Sequence, residues 1–181
     1  MNIPNLLSIF RLFLTLFFII SVNKGNYRLA LYLFLLQGIS DMLDGFLARL
    51  MKERTSLGAF LDPMADKVML TASYIVLSIQ GLIPLWLTSI VLSRDFIIAF
   101  GFVIIYKFSN WARPMPSLLS KFTTFAQMCT ILYILWSGRG QYSTYFFFAT
   151  LALTLMSGIH YIAKGIGILM NKKSFDNIET L

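Results

Sequence analysis

Six long apolar stretches, separated by short polar connections, make up most of this chain. They are continuous and lack the alternation of polar and apolar positions that marks a membrane β-strand, so they predict helices. Each stretch holds roughly 20 residues, which is enough for a helix to cross the hydrocarbon core of a bilayer. The predicted spans are residues 5–22, 28–51, 58–79, 82–106, 117–136 and 144–168. The pattern therefore predicts an all-α integral membrane protein with six transmembrane helices.

The composition of the chain agrees with this pattern. Hydrophobic residues make up 57% of the chain and charged residues 13%, and the mean hydropathy is +0.74. A soluble domain carries about 25% charged residues. We expect one transmembrane domain over residues 1–170, followed by a polar cytoplasmic tail over residues 171–181. The single cysteine, Cys129, excludes an intrachain disulfide and a cysteine-based metal site.

The basic residues bear on both partners and topology, because they give the chain a net charge of +7. Most of them lie at the ends of apolar spans, which favours contact with anionic lipid headgroups over nucleic acid. Six spans place both termini on one side of the membrane. Only Lys24, Arg28 and Arg139 are predicted on the opposite side, so the positive-inside rule predicts cytoplasmic termini. Because no targeting segment is evident, we expect a bacterial inner membrane.

Four aspartates stand out within the apolar sequence: Asp41, Asp44, Asp62 and Asp66. Carboxylates are costly inside a bilayer, so they mark a functional site. The first two are three residues apart and the last two are four apart, which places each pair on one face of a helix. Clustered carboxylates repel one another unless cations neutralise them, and oxygen ligands favour Mg²⁺, Mn²⁺ or Ca²⁺. The acids alone also fit an ion or proton transporter, or a structural membrane protein with a vestigial site.

The residues between the aspartates help to distinguish these functions. The motif D-x2-D-G-x2-A-R-x8-G-x3-D-x3-D runs from Asp41 to Asp66. At every defined position it resembles the signature of the CDP-alcohol phosphotransferase family, the CDP-alcohol phosphatidyltransferases of class I. The opening run from Asn2 to Arg11 and the pattern K-x2-T-x2-Q beginning at Lys121 are also similar to that family. The resemblance covers nearly the whole chain and implies an enzyme rather than a transporter.

The resemblance also implies a reaction and a set of site residues. The reaction is transfer of a phosphatidyl group from CDP-diacylglycerol to an acceptor alcohol, with release of CMP. Asp41, Asp44 and Asp62 are expected to bind metal, and Asp66 to bind metal and act as general base. The cofactors implied are two divalent metal ions, Mg²⁺ or Mn²⁺, and the assembly implied is a homodimer. The expected CDP-binding residues are Gly45, Ala48, Arg49 and Gly58, with Asn5 and Ser8 nearby.

The acceptor is less clearly indicated than the donor. Arg94 and Lys121 are basic groups that could hold an acceptor phosphate, although Arg94 could instead pair with Asp95 or with a lipid headgroup. Family members that use glycerol 3-phosphate usually carry a second arginine two turns after the first, where this chain has Phe102. The runs around residues 81–84 and 116–121 resemble cardiolipin synthases. We therefore expect phosphatidylglycerol as the acceptor, with glycerol 3-phosphate as the alternative.

The predicted topology also orients the site. The second span ends, and the third begins, at the connection over residues 52–56, which is expected to be cytoplasmic. The four aspartates then lie within about three helical turns of the cytoplasm, at roughly 5.4 Å per turn. We therefore expect an active site that faces the cytoplasm and still touches lipid.

Overall fold

The fold is all-helical over the part of the chain that the structure describes. A computed structural model describes residues 3–51, 56–108 and 118–176, with side-chain surroundings for residues 10–40, 67–101, 118–165 and 167. No strand occurs among these residues. The helices are α1 (Ile3–Asn23), α2 (Tyr27–Met51), α3 (Ser56–Ile79), α4 (Leu85–Phe108), α5 (Leu118–Ser137) and α6 (Ser143–Asp176). The prediction of six helices is confirmed for the described residues.

Three glycines with positive φ end α1, α3 and α5. Their φ angles are 72° at Gly25, 72° at Gly81 and 65° at Gly138, a region that residues with a Cβ rarely adopt. After α3, the N–H of Gly81 donates to the Ser78 carbonyl at 2.9 Å and that of Leu82 to the Leu77 carbonyl at 2.9 Å. This pair of bonds satisfies carbonyls that the helix end would leave unpaired. The glycines therefore allow short turns between consecutive helices.

The chain divides into two compact units. The first comprises Met1–Thr88 and Met128–Ser143, and the second comprises Ser89–Gln127 and Thr144–Leu181. In the first unit, α1 packs against both α2 and α3. Its core is apolar, and its fully or nearly fully buried side chains include Phe18, Val22, Ala30, Tyr74, Leu77, Ile131 and Ile134.

Hydroxyl side chains occupy four of the eight buried positions that the structure describes in the second unit. Thr123 on α5 and Thr150, Thr154 and Ser157 on α6 are all 0% exposed. The Thr123 hydroxyl proton is shared between the Leu119 carbonyl of its own helix at 2.8 Å and the Leu153 carbonyl of α6 at 3.0 Å, and Thr150 Oγ1 donates to the Ala126 carbonyl at 3.3 Å. Small hydroxyl residues at helix contacts let backbones approach closely and form bonds across helices in an apolar medium.

Large apolar side chains cover the outer surface. On α1, for example, Phe13, Leu16 and Phe17 are each 57% exposed. Among the described residues, two helical segments are long and apolar enough to cross a membrane, Leu118–Ser137 and Ser143–Gly165. Contiguous exposed apolar surface of this kind suits lipid and not water. The prediction of a helical membrane protein is supported at this level.

Candidate active site

The motif falls on two helices that share a neighbour. Asp41 and Asp44 lie in the last three turns of α2, and Asp62 and Asp66 lie in the first three turns of α3. Their backbone is helical, so each pair shares a helix face as the spacing predicts. Both helices pack against α1. The aspartate side chains lie outside the described side chains, and their role in metal binding stays a prediction.

A polar contact sets the register between α1 and α2. The buried Gln37 Nε2 donates to the Arg11 carbonyl at 3.2 Å and to Thr15 Oγ1 at 3.1 Å. Gln37 lies one turn before Asp41, and α1 and α2 are joined by the short turn at residues 24–26. Because consecutive helices joined in this way run in opposite directions, the positions level with the aspartates are those of α1 before Arg11. Asn5 and Ser8 occupy that part of α1.

Gln37 was not among the residues that sequence reasoning selected. It is an amide within the apolar first half of α2, and its side chain is 1% exposed. One signal in the sequence could have identified it. Gln37 is a polar residue in an otherwise apolar stretch, and it lies one turn before Asp41, an expected metal ligand. Its partners could not be identified from the sequence because they lie more than 20 residues away in the chain.

Arg11 adds a buried positive charge to the first unit. Its side chain is 2% exposed, and its carbonyl also accepts a bond from Thr15 Oγ1 at 2.9 Å. A guanidinium is always charged, and burial is tolerated only with anionic or polar partners nearby. A buried cation on the helix that contacts both aspartate-bearing helices favours anionic groups in this part of the unit.

The expected nucleotide residues are distributed over the same three helices. Gly45, Ala48 and Arg49 lie near the end of α2, Gly58 lies in the first turn of α3, and Asn5 and Ser8 lie at the start of α1. Their side-chain surroundings are outside the described part of the chain. Their shared location on α1, α2 and α3 agrees with a common site, and their contacts with CDP stay predictions.

The two expected acceptor residues have different environments in the second unit. Arg94 is 5% exposed, and its Nη1 lies 2.7 Å from Asp95 Oδ1. Its Nη2 donates to Ser120 Oγ at 2.7 Å and to Ser157 Oγ at 2.6 Å. The structure thus shows the pairing with Asp95 that the sequence left open as an alternative. Lys121, in contrast, is exposed in the first turn of α5.

Comparison with known proteins identifies the family. The sequence profile described as CDP-alcohol phosphatidyltransferase matches residues 1–156. The chain belongs to the CDP-alcohol phosphatidyltransferase family. This match confirms the resemblance drawn from the motif. The protein is therefore an enzyme of phospholipid synthesis. CDP-alcohol phosphatidyltransferases generally use divalent metals, and a set of four carboxylates is the kind of hard oxygen donor set that such ions prefer.

Relatives with two kinds of activity are similar to this phosphatidyltransferase. The CDP-diacylglycerol–glycerol-3-phosphate 3-phosphatidyltransferase of Haemophilus influenzae is 34% identical, and the alignment covers 98% of both chains. The same-named protein of Aquifex aeolicus is 34% identical over 95% of this chain and all of its own. A probable cardiolipin synthase (CMP-forming) of Drosophila melanogaster is 39% identical over 72% of this chain, which spans 46% of the fly protein.

Proposed function

We propose that the protein transfers a phosphatidyl group from CDP-diacylglycerol to a glycerol-based alcohol and releases CMP. The observation that carries this proposal is the aspartate motif on α2 and α3, two helices that pack on the same partner helix, in a chain of the CDP-alcohol phosphatidyltransferase family. In the reaction, the acceptor oxygen forms a bond to the lipid-side phosphorus. The bond from that phosphorus to the CMP oxygen breaks, and CMP leaves.

The four aspartates divide the work of metal binding and proton transfer in this proposal. Asp41, Asp44, Asp62 and Asp66 hold two divalent cations, Mg²⁺ or Mn²⁺. When bound, such ions neutralise charge on the attacking and leaving oxygens of a displacement at phosphorus. Asp66 also takes the proton from the acceptor hydroxyl, as general base. The position of Asp66 on α3, one turn beyond Asp62, supports giving it this additional role as general base.

The nucleotide lies against the ends of α1, α2 and α3 in this proposal. Gly45 and Gly58 lack side chains, so the diphosphate can approach the backbone closely. Arg49 can bind a phosphate through two parallel hydrogen bonds. Ala48, Asn5 and Ser8 complete the proposed pocket. The register set by Gln37 supports the last two, because it brings the start of α1 level with the end of α2.

Phosphatidylglycerol is our first acceptor, as in a cardiolipin synthase. The supporting observations come from α4. Arg94 is already paired with Asp95, and Phe102 stands where a second arginine would hold the phosphate of glycerol 3-phosphate. The terminal glycerol of phosphatidylglycerol is neutral and needs no such pair. Lys121 is then the group that contacts the acceptor's phosphodiester.

Glycerol 3-phosphate is the second candidate acceptor, because a different observation favours it. The relatives that this chain matches from end to end are the bacterial glycerol-3-phosphate 3-phosphatidyltransferases. The cardiolipin synthases match over a shorter region and are themselves more than twice as long as the aligned part. A glycerol-3-phosphate enzyme would use Lys121 for the acceptor's phosphate monoester.

The proposal includes a topology and an assembly. Six helices cross a bacterial inner membrane, both termini are cytoplasmic, and the active site faces the cytoplasm. The excess of basic residues on the terminal side supports this orientation. The protein acts as a homodimer, an inference from the family resemblance.

One assay separates these possibilities. Protein purified in detergent is mixed with CDP-diacylglycerol, Mg²⁺ or Mn²⁺, and either phosphatidylglycerol or glycerol 3-phosphate, and CMP release is measured. CMP release with phosphatidylglycerol and a cardiolipin product supports the first acceptor, and a phosphatidylglycerophosphate product supports the second. No CMP with either acceptor refutes the enzyme proposal, and proton or cation flux in proteoliposomes would then favour a transporter.

A further inference from the structure

A single buried arginine joins three helices of the second unit. The Arg94 guanidinium on α4 contacts Asp95 on its own helix, Ser120 on α5 and Ser157 on α6, at 2.7, 2.7 and 2.6 Å. The Arg94 and Asp95 side chains are 5% and 12% exposed. We call these four residues the Arg94 cluster. Both terminal nitrogens of the Arg94 guanidinium take part in these contacts.

These contacts make Arg94 poorly suited to bind a substrate directly. A buried charge is stable only when it is paired and its hydrogen-bonding groups are satisfied. Asp95 neutralises the charge, and the two serine hydroxyls accept from Nη2, while the buried Nε has no hydrogen-bond partner among the described residues. A phosphate could reach this guanidinium only by displacing those bonds. The geometry therefore points to a role inside the protein.

The contact with Ser120 controls the first turn of α5. Ser120 directly precedes Lys121, whose side chain is exposed. One turn farther along α5, Thr123 bonds to the Leu153 carbonyl of α6, and Thr150 of α6 bonds to the Ala126 carbonyl of α5. These bonds hold α5 beside α6, and the bond from Arg94 to Ser120 adds a restraint on the rotation of its first turn. Successive side chains point about 100° apart around a helix of 3.6 residues per turn. Ser120 and Lys121 belong to the same turn, so a rotation of this turn about the helix axis also changes the direction of the Lys121 side chain.

We propose that Arg94 is a positioning residue for the acceptor: through Ser120 it fixes the direction in which the Lys121 ammonium points, and it does not bind the acceptor itself. The inference rests on the proposed function, because it takes Lys121 as the group that binds the acceptor's phosphate. It assigns specificity for a phosphate-bearing glycerol to Lys121, and to Arg94 only the placement of that lysine.

The first test measures orientation without any enzyme assay. In a Cys129→Ser background, Lys121→Cys is alkylated in detergent, and the rate is compared with and without Arg94→Gln or Ser120→Ala. We expect each change to alter the rate by about threefold or more, the population shift that loss of a typical interhelical hydrogen bond produces. If Arg94→Gln does not fold, the comparison is made with Ser120→Ala alone. An unchanged rate in the folded variants would overturn the proposal.

Two control variants belong to this measurement. Gly158→Ala adds a methyl group 3.7 Å from Arg94 Cγ, an ordinary contact that leaves the bonds of the cluster in place. Arg139→Gln removes another arginine, whose Nη1 donates to the Gly81 carbonyl at 3.2 Å in the first unit. Both are expected to leave the alkylation rate of Lys121→Cys unchanged. A change as large as that of Ser120→Ala in either control would remove the specific role of Arg94.

The second test uses kinetics and a double variant. Arg94→Lys and Ser120→Ala are expected to raise KM for the acceptor and to leave KM for CDP-diacylglycerol unchanged. In a Lys121→Gln background, the same changes should raise the acceptor KM no further, because the lysine they position is gone. Independent, multiplying effects would show that Arg94 binds the acceptor directly. If the wild-type protein releases no CMP, the proposed function fails, and the alkylation result still decides whether Arg94 orients α5.

Discussion

At the residue scale, the two expected acceptor residues differ in whether their charge is available to a ligand. Arg94 has its charge and both terminal nitrogens committed to Asp95, Ser120 and Ser157. Lys121, which directly follows Ser120 of this cluster, is exposed and able to meet a ligand. In the proposed function, Asp66 takes up the proton of the acceptor hydroxyl. The proposal thus uses one aspartate, Asp95, for packing and another for chemistry.

Replacing Asp66 by Asn tests its role as general base. We expect CMP release to fall by about 10²–10⁴-fold, the usual contribution of general base catalysis, since an amide cannot accept the proton. Steady-state kcat measures this effect, with Mn²⁺ binding followed separately. Asp176→Asn, beyond the region that matches the family profile, is the matched control and should retain kcat. Wild-type turnover by Asp66→Asn would contradict the assignment.

Restoring an arginine at Phe102 tests the argument about the acceptor. The new guanidinium would lie two turns after Arg94 on α4, and a charge-assisted hydrogen bond contributes about 1.5–3 kcal/mol. Phe102→Arg should therefore raise kcat/KM for glycerol 3-phosphate, relative to phosphatidylglycerol, by about tenfold or more. Phe102→Met is the control for loss of the ring. No change in this ratio would remove Phe102 from the argument on specificity.

At the scale of helices and turns, the apolar pattern was a good guide. A long apolar run can satisfy its backbone in lipid only as a helix, so the predicted spans follow the observed helices closely. The span predicted over residues 28–51 is α2, Tyr27–Met51. The sixth helix extends to Asp176, beyond the predicted end at residue 168, because Lys172 and Lys173 leave the apolar pattern without breaking a helix.

Contacts between helices could not be predicted in the same way. The apolar pattern gives the length of a helix. When most faces of the helix are apolar, the pattern says little about how the helix is rotated about its own axis. The bonds of Gln37 to α1 and of Arg94 to α5 and α6 join residues 22 to 63 positions apart. The aspartate motif was recognisable because its spacing is local to two adjoining helices. The two residues expected to contact the acceptor lie on separate helices, and only the structure distinguished the environment of Arg94 from that of Lys121.

The turn glycines allow a paired test of backbone strain. At Gly81, φ is 72°, so Gly81→Ala should destabilise the protein by about 1–2 kcal/mol, the cost of a left-handed conformation for a residue with a Cβ. Gly38 lies within α2, and a Cβ there would meet nothing within 4 Å. Gly38→Ala should stabilise the protein by about 0.5–1 kcal/mol. Thermal unfolding in detergent measures both, and a shift of the same sign in both variants would contradict this account.

At the scale of the whole molecule, the chain unites an apolar exterior with polar contacts inside. Large side chains such as Phe96 and Phe148, at 72% and 58% exposure, face outward. The interior of the second unit is rich in hydroxyl groups. Lipid tails offer no hydrophobic driving force for helix association, so packing and interhelical hydrogen bonds must hold the helices together. Exposed apolar side chains around a hydroxyl-rich interior are the distribution expected of helices that associate in lipid.

Cysteine labelling tests the predicted orientation. In a Cys129→Ser background, Lys24→Cys in the turn after α1 and Lys52→Cys after α2 are treated with a membrane-impermeant thiol reagent on intact bacterial cells. The positive-inside rule predicts labelling of Lys24→Cys alone. Both variants should label after the cells are broken, which controls for accessibility. Labelling of Lys52→Cys alone on intact cells would reverse the topology and place the proposed active site outside the cytoplasm.

The glycine-ended turns have a consequence for how the chain enters its membrane. The segments that join α1 to α2, α3 to α4 and α5 to α6 are short, spanning residues 24–26, 80–84 and 138–142. In the proposed topology, each helix pair can therefore insert as a hairpin, and the polar segments that must cross the bilayer are limited to three short turns. Their few charged groups, Lys24 and Arg139, keep the cost of that passage low. The proposed topology thus makes biogenesis of the enzyme depend on the same glycines that end its helices.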